Sequence, residues 1–151
     1  MSGPDHGPGP GTPDPGDPEA LARRCAEAMW AGDRACQDLR MVLADVGPGR
    51  ARMEMVVTES MVNGHGLCHG GYIFTLADSA FAYACNSHGE RAVAQQCSVT
   101  FLRPGRLGDC LAATAQERAR SGRSGIYDVR VAGPEGVVAE FRGHSRVIGA
   151  F

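Results

Sequence analysis

Residues 72–85 read YIFTLADSAFAYAC, and this run decides how the rest of the chain has to be arranged. It is rich in Ala, Leu and Phe and long enough for about four helical turns. Asn86, Ser87, His88 and Gly89 follow it as a helix stop. A helix that is apolar on nearly all sides must be buried. Around it the period changes from 3.6 to two. Upstream, Met41 and Leu43 begin an alternation, Gly47-Pro48-Gly49 makes a turn, and Met53, Met55 and Val57 continue with Arg52 and Glu54 between them. Downstream, residues 91–102, 109–120, 124–132 and 137–148 read as strands, broken by Pro104-Gly105, Ser121-Gly122 and Gly133-Pro134-Glu135-Gly136. Short turns between strands imply antiparallel pairing. The order predicts an α+β fold: an antiparallel sheet wrapped around one long central helix.

The remainder of the chain fits a single domain over residues 19–151, with no internal repeat. Residues 1–18 are mostly Gly, Pro, Asp and Ser/Thr and offer nothing to bury, so a disordered tail is expected there. Asp17-Pro18-Glu19 reads as a helix start, with Asp17 as N-cap and Pro18 in the first helical position. Leu21, Cys25, Ala28 and Met29 follow at helical spacing, and Gly32 closes the segment. A net charge of −2 argues against a nucleic-acid partner. No run approaches the roughly 20 apolar residues that a membrane helix needs, and residues 1–18 lack the apolar region of a secretory signal. The six cysteines are scattered, without metal-ligand or disulfide-scaffold spacing. They read as buried, reduced thiols, which implies the cytoplasm.

Asp78 is the only Asp, Glu, Lys or Arg between Glu59 and Glu90. Burying an unpaired carboxylate costs several kcal/mol, about the scale of a large destabilising mutation, so a function is indicated. Desolvation would raise its pKa and suit it to general-base work near neutrality. The structural alternative is an aspartate on a solvated stripe or one capping a nearby loop. At the other end of the run, Gly70-Gly71 can expose backbone N–H groups at a helix start, where the helix dipole favours developing negative charge on a carbonyl oxygen. The alternative is a tight entry turn. Eight residues of helix separate Gly70 from Asp78, about 12 Å. One reacting carbonyl cannot easily touch both within one chain. Two antiparallel helices related by a two-fold axis would bring one chain's Gly70 to the other's Asp78. Asn63, in the loop before the helix, is a third candidate, either for orienting water or substrate or for stabilising its own Gly-rich turn.

Other patterns carry less. The stretch 64–70, GHGLCHG, has one residue too many for a dinucleotide fingerprint and does not follow a strand. His65, Cys68 and His69 have no partner pair elsewhere, so no metal is assigned. No Gly-x-Ser-x-Gly occurs. Arg118, Arg120, Arg123, Arg142 and Arg146 fall on neighbouring strands or their turns. With Ser124 and Gly125 they are candidates for holding a polyphosphate, or else ordinary charges on a sheet surface.

Taken together, residues 63–71 (NGHGLCHGG), 74–78 (FTLAD) and 80–87 (AFAYACNS) resemble the family of the phenylacetic acid degradation protein PaaI, hotdog-fold acyl-CoA thioesterases. The resemblance continues through 101–105 (FLRPG), 125–129 (GIYDV) and 141–145 (FRGHS), and so covers roughly Leu39 to Ile148. It implies a hotdog fold, a homodimer as active unit, usually paired into a homotetramer, and hydrolysis of (hydroxy)phenylacetyl-CoA or related thioesters. It implies no cofactor, coenzyme A being part of the substrate. Asp78 matches the family's catalytic carboxylate, nucleophile or general base. Gly70 matches the oxyanion N–H, with Gly71 beside it. Asn63 matches a loop amide that positions substrate or water, and His69 a histidine supporting the helix start. A non-catalytic acyl-CoA binder and a hotdog hydratase remain as rivals; the second needs a His paired with the acid.

Overall fold

The computed structural model describes residues 16–151. The expected tail therefore falls almost entirely outside the described residues. Helix α1 (Pro18–Gly32) starts as its sequence predicts: the Asp17 carboxylate accepts from Glu19 N at 3.2 Å, and Pro18 occupies the first turn. Such a cap contributes about 1 kcal/mol. A second short helix, α2 (Arg34–Asp38), was not expected beyond Gly32. Asp33 caps it, accepting from Cys36 N at 3.1 Å.

Then come β1 (Val42–Gly47) and β2 (Arg50–Val56), a 3₁₀ turn at Glu59–Met61, and the long helix α3 (Gly70–Cys85). Four strands complete the chain: β3 (Glu90–Phe101), β4 (Cys110–Ser121), β5 (Ser124–Gly133) and β6 (Gly136–Ala150). All pairings are antiparallel, in the order β1-β2-β4-β5-β6-β3. The turn between β1 and β2 depends on Gly49, whose φ of +68° is a conformation other residues rarely adopt. Strand β3 leaves the end of α3 and crosses to the far edge, where it pairs with the last strand.

Strand periodicity sorts the two faces of the sheet. Met53, Met55, Leu111, Ala113, Ala115, Tyr127, Val129, Val131, Ala139 and Phe141 are buried. Helix α3 adds Ile73, Leu76, Ala77, Ala80, Phe81 and Ala84 to the same core. Each large side chain among them contributes about 1.5–3 kcal/mol by leaving water. Close approach of helix and sheet depends on Gly143 of β6, because a Cβ there would lie 2.8 Å from the Phe81 ring. The opposite face is polar. Asp128 sits between Arg118 and Arg142, at 3.0 and 2.6 Å, and Arg130 pairs with Glu140 at 2.7 Å.

The helix is not enclosed on all sides, as its composition had suggested. Gly71 is exposed, and Phe74, Thr75, Asp78, Ser79 and Ala82 are only half-buried. One sheet covers one side of a helix, so an open stripe remains. The cysteine expectation also needs adjusting. All six thiols are free, but Cys97 is half-buried and Cys110 is exposed.

Candidate active site

The entry to α3 is built by its preceding loop. Asn63 Oδ1 accepts from His65 N at 2.9 Å and Leu67 N at 3.2 Å, while Asn63 N donates to Leu67 O at 2.8 Å. The turn-stabilising role is therefore real, and it occupies only the carbonyl end of the side chain. Asn63 also lines a hollow of about 330 Å³ with Leu67, Ile73, Phe101 and Leu102. His69 is the N-cap of α3, its Nδ1 accepting from Gly71 N at 3.1 Å. An accepting Nδ1 leaves Nε2 as the ring nitrogen that can donate. It also engages the Gly71 N–H, so of the two candidate glycines Gly71 has its N–H already taken. A Cβ at Gly70 would stand 2.9 Å from Phe101 Cζ. The glycine thus allows an aromatic ring to close over the helix start.

Asp78 lies two turns further along α3, on the open stripe. Burial pushes its carboxyl above the usual carboxylate range, and a donor from β3 acts in the opposite sense: the Cys97 thiol, with Sγ 3.9 Å from Asp78 Oδ1. Burial and the neighbouring carboxylate in turn push the Cys97 thiol up to about 11. Sequence reading passed over Cys97, which shows its role only once β3 lies beside α3. Two contacts fix how these elements run. Phe101 meets Gly70 and Cys97 meets Asp78. Four strand residues span about 13 Å and eight helix residues about 12 Å. Helix and strand are therefore in register and antiparallel, and Gly70 and Asp78 of one chain stay apart.

The other end of α3 is clamped by polar groups. Asn86 Nδ2 donates to Ala82 O and Ala92 O, both at 3.0 Å, and its Oδ1 accepts from Ala92 N at 2.9 Å. Ser87 Oγ donates to Ala84 O at 2.7 Å and accepts from Gly49 N at 2.8 Å. Glu117 takes His88 Nε2 at 2.7 Å and the Tyr127 hydroxyl at 2.9 Å. Partial burial opposes the charge on Glu117, yet these two donors hold its carboxyl below the ordinary range. A His–carboxylate pair does exist, then, but on Glu117 rather than Asp78. On the α1–α2 side, the Tyr83 hydroxyl donates to Asp33 Oδ2 at 3.0 Å and the Cys36 thiol to Ser79 Oγ at 3.3 Å. These contacts tie the α1–α2 corner to the residue next to Asp78.

The polyphosphate candidates are not gathered around Asp78. Arg118 and Arg142 are engaged with Asp128 on the polar face. Arg123 and Ser124 are exposed in the β4–β5 turn, where Arg123 shares a hollow with Gly89, Glu90 and residues 147–150. That is the end of the sheet nearest the C-terminus of α3. Gly125 is buried, and a Cβ there would come within 2.7 Å of Ser145 Oγ and 2.8 Å of the Tyr127 ring. Its observed role is to permit packing. Among the described residues no group of three or more His, Cys, Asp or Glu side chains is placed to hold a metal, and no helix is long and apolar enough to cross a membrane.

Residues 65–140 match the thioesterase superfamily. Together with the six-stranded antiparallel sheet on one long helix, this defines the class: the chain belongs to the thioesterase superfamily and has the hotdog fold. It is thus a thioester hydrolase. The acyl-coenzyme A thioesterase PaaI of Escherichia coli K12 is 47% identical over 125 residues, which cover 82% of this chain and 89% of that protein. The solved structure of the E. coli PaaI protein from the phenylacetic acid degradation operon superposes with a TM-score of 0.87 at 44% identity, over 89% of this chain and 98% of that one. A thioesterase protein from Streptococcus pneumoniae, solved with coenzyme A, matches with a TM-score of 0.70 at 27% identity, over 73% of this chain and 90% of that one.

Proposed function

We propose that this protein hydrolyses aryl- or acyl-CoA thioesters, (hydroxy)phenylacetyl-CoA among them, to the free acid and coenzyme A, and that it works in the cytoplasm in phenylacetate catabolism. The observation that carries this reading is Asp78, a half-buried acid on the open stripe of α3 whose carboxyl is pushed up by burial. The similarity to E. coli PaaI and to a relative solved with coenzyme A supports the substrate class. In this reading Asp78 attacks the thioester carbonyl or draws a proton from water. The Gly70 N–H holds the oxyanion, and the Asn63 amino group orients substrate or water. Only water is consumed, and no cofactor is required.

The site is shared between chains. Gly70 and Asp78 of one chain are about two helical turns apart, while β3 is a 12-residue edge strand with no partner on its outer side among the described residues. An edge of that length is normally paired or covered. Antiparallel pairing of β3 with a second copy would set two α3 helices in opposite directions and bring one Gly70 toward the other Asp78. A homodimer is then the catalytic unit, and the homotetramer pairs two of them. Arg123 and Ser124 are the exposed candidates for the phosphates of coenzyme A.

The test is release of free thiol from a panel of aryl- and alkyl-CoA thioesters. Turnover should be highest with arylacetyl thioesters and be nearly abolished, by about 10²–10⁴, when the acid is removed by Asp78→Asn. Binding of these thioesters without thiol release, or equal rates for parent and variant, would sink the proposal. Hydration of an enoyl-CoA would instead point to the Glu117–His88 pair.

A further inference from the structure

Cys97 is the side chain that reaches Asp78 from outside its own helix, with Sγ 3.9 Å from Oδ1. We infer that Cys97 is a positioning residue for the hydrolysis, its thiol donating to Asp78 and aiming the carboxylate along the groove between α3 and β3. This rests on the reading of Asp78 as the catalytic acid.

Three features of the fold place that thiol. The pairing of β3 with β6 shifts between Ala94 and Gln96, a bulge that sets the facing of the residues after it. Beyond it, Cys97 and Phe101 meet α3, while Ser98 and Thr100 lie on the polar face with Thr114 and Arg142. Opposite Cys97 on β6 is Gly143, which has no side chain to compete for the space and which the Phe81 ring covers instead. Finally, three thiols feel the charge of Asp78: Cys36 from α2, Cys85 from its own helix and Cys97 from β3. Cys97 is the one that donates to it.

The thiol suits this task. Burial and the nearby carboxylate keep it protonated up to about pH 11, so it remains a donor across the working range and does not compete as a nucleophile. A carboxylate on an apolar helix tends to take up a proton, and a protonated acid can neither attack nor accept. One weak donor shifts that balance toward the charged form.

The experiment is a pH titration of Asp78 by ¹³C NMR of the carboxyl carbon, run beside pH profiles of kcat/KM, in the parent, Cys97→Ala and Cys97→Ser. In Cys97→Ala both the Asp78 midpoint and the acid limb of kcat/KM should move up by about half a pH unit. Cys97→Ser, which keeps a donor, should return most of that shift. If the carboxyl midpoint moves but the rate limb does not, Cys97 does act on Asp78, and the assignment of Asp78 as the catalytic acid fails. If Cys97→Ala lowers the rate equally at every pH, with both midpoints unmoved, the residue only packs and the inference is overturned.

Discussion

Asp78→Asn should leave the folded protein more stable at neutral and alkaline pH, although it removes activity. The Asp78 carboxyl is half-buried, and among the described residues its donor is one thiol at 3.9 Å. A fully buried, unsatisfied polar group costs about 1–3 kcal/mol. Half-exposure and one weak donor reduce this to about 1 kcal/mol, within the range by which functional-site replacements commonly stabilise enzymes. The sign follows from linkage. Because burial raises the folded-state pKa above the ordinary 3.8, the folded protein holds its proton where the unfolded chain has lost it. Stability therefore falls as pH rises from the ordinary value through the folded one, and stays lower above it. Asparagine has no proton to lose, so the variant escapes this decline. Urea denaturation of both proteins at equal concentration, from about pH 3 to about pH 8, reads the difference directly, the acid limit lying below the ordinary 3.8. The gain should be absent at the acid end and reach about 1 kcal/mol at the neutral end. A variant less stable than the parent at pH near 8 would refute the argument. It would show that the folded state stabilises the charged carboxylate.

Two further outcomes follow from contacts elsewhere in the fold. Gly143→Ala would bring a methyl group to 2.8 Å from the Phe81 ring and should cost about 1–3 kcal/mol in urea denaturation; an unchanged midpoint would mean that α3 can lift off the sheet freely. His69→Ala removes the acceptor for Gly71 N and should lower stability by about 1 kcal/mol, seen as a drop of a few degrees in Tm. An unchanged Tm would mean that water caps the helix as well as the imidazole does.

Much of this architecture was legible in the residues, because local patterns determine it. The 72–85 run, the alternating strands and the Gly/Pro turns located α3 and all six strands to within a few positions. The misses have local causes as well. The start of α3 at Gly70 was readable from the glycine pair; that His69 supports it by capping was not, because histidine is not a usual cap. Helix α2 was hidden behind Gly32, and its cap, Asp33, became evident only from its bond to Cys36 N. What no local pattern could supply is pairing between distant segments. Strand β3 pairs with the distant β6, so the meetings of Cys97 with Asp78, 19 residues apart, and of Phe101 with Gly70 depend on the assembled sheet. For the same reason Arg118 and Arg142 looked available in the sequence, whereas the sheet delivers both to Asp128. Asp78, Gly70 and Asn63 could be named in advance because their motif is contiguous.

The central claim is that each site combines Gly70 of one chain with Asp78 of another. It can be tested by mixing two inactive variants. Gly70→Pro removes the N–H at a first-turn position whose backbone suits proline, its Cβ pushing the Phe101 ring aside, and Asp78→Asn removes the acid. Co-refolded in equal amounts, they form mixed dimers in which one site carries both defects and the other carries neither. Thiol release should then return to roughly a quarter of the parent rate per chain, since half of randomly paired dimers are mixed and each holds one intact site. If the mixture stays as inactive as its components, while mass spectrometry shows mixed dimers present, the site is not shared and the account is wrong.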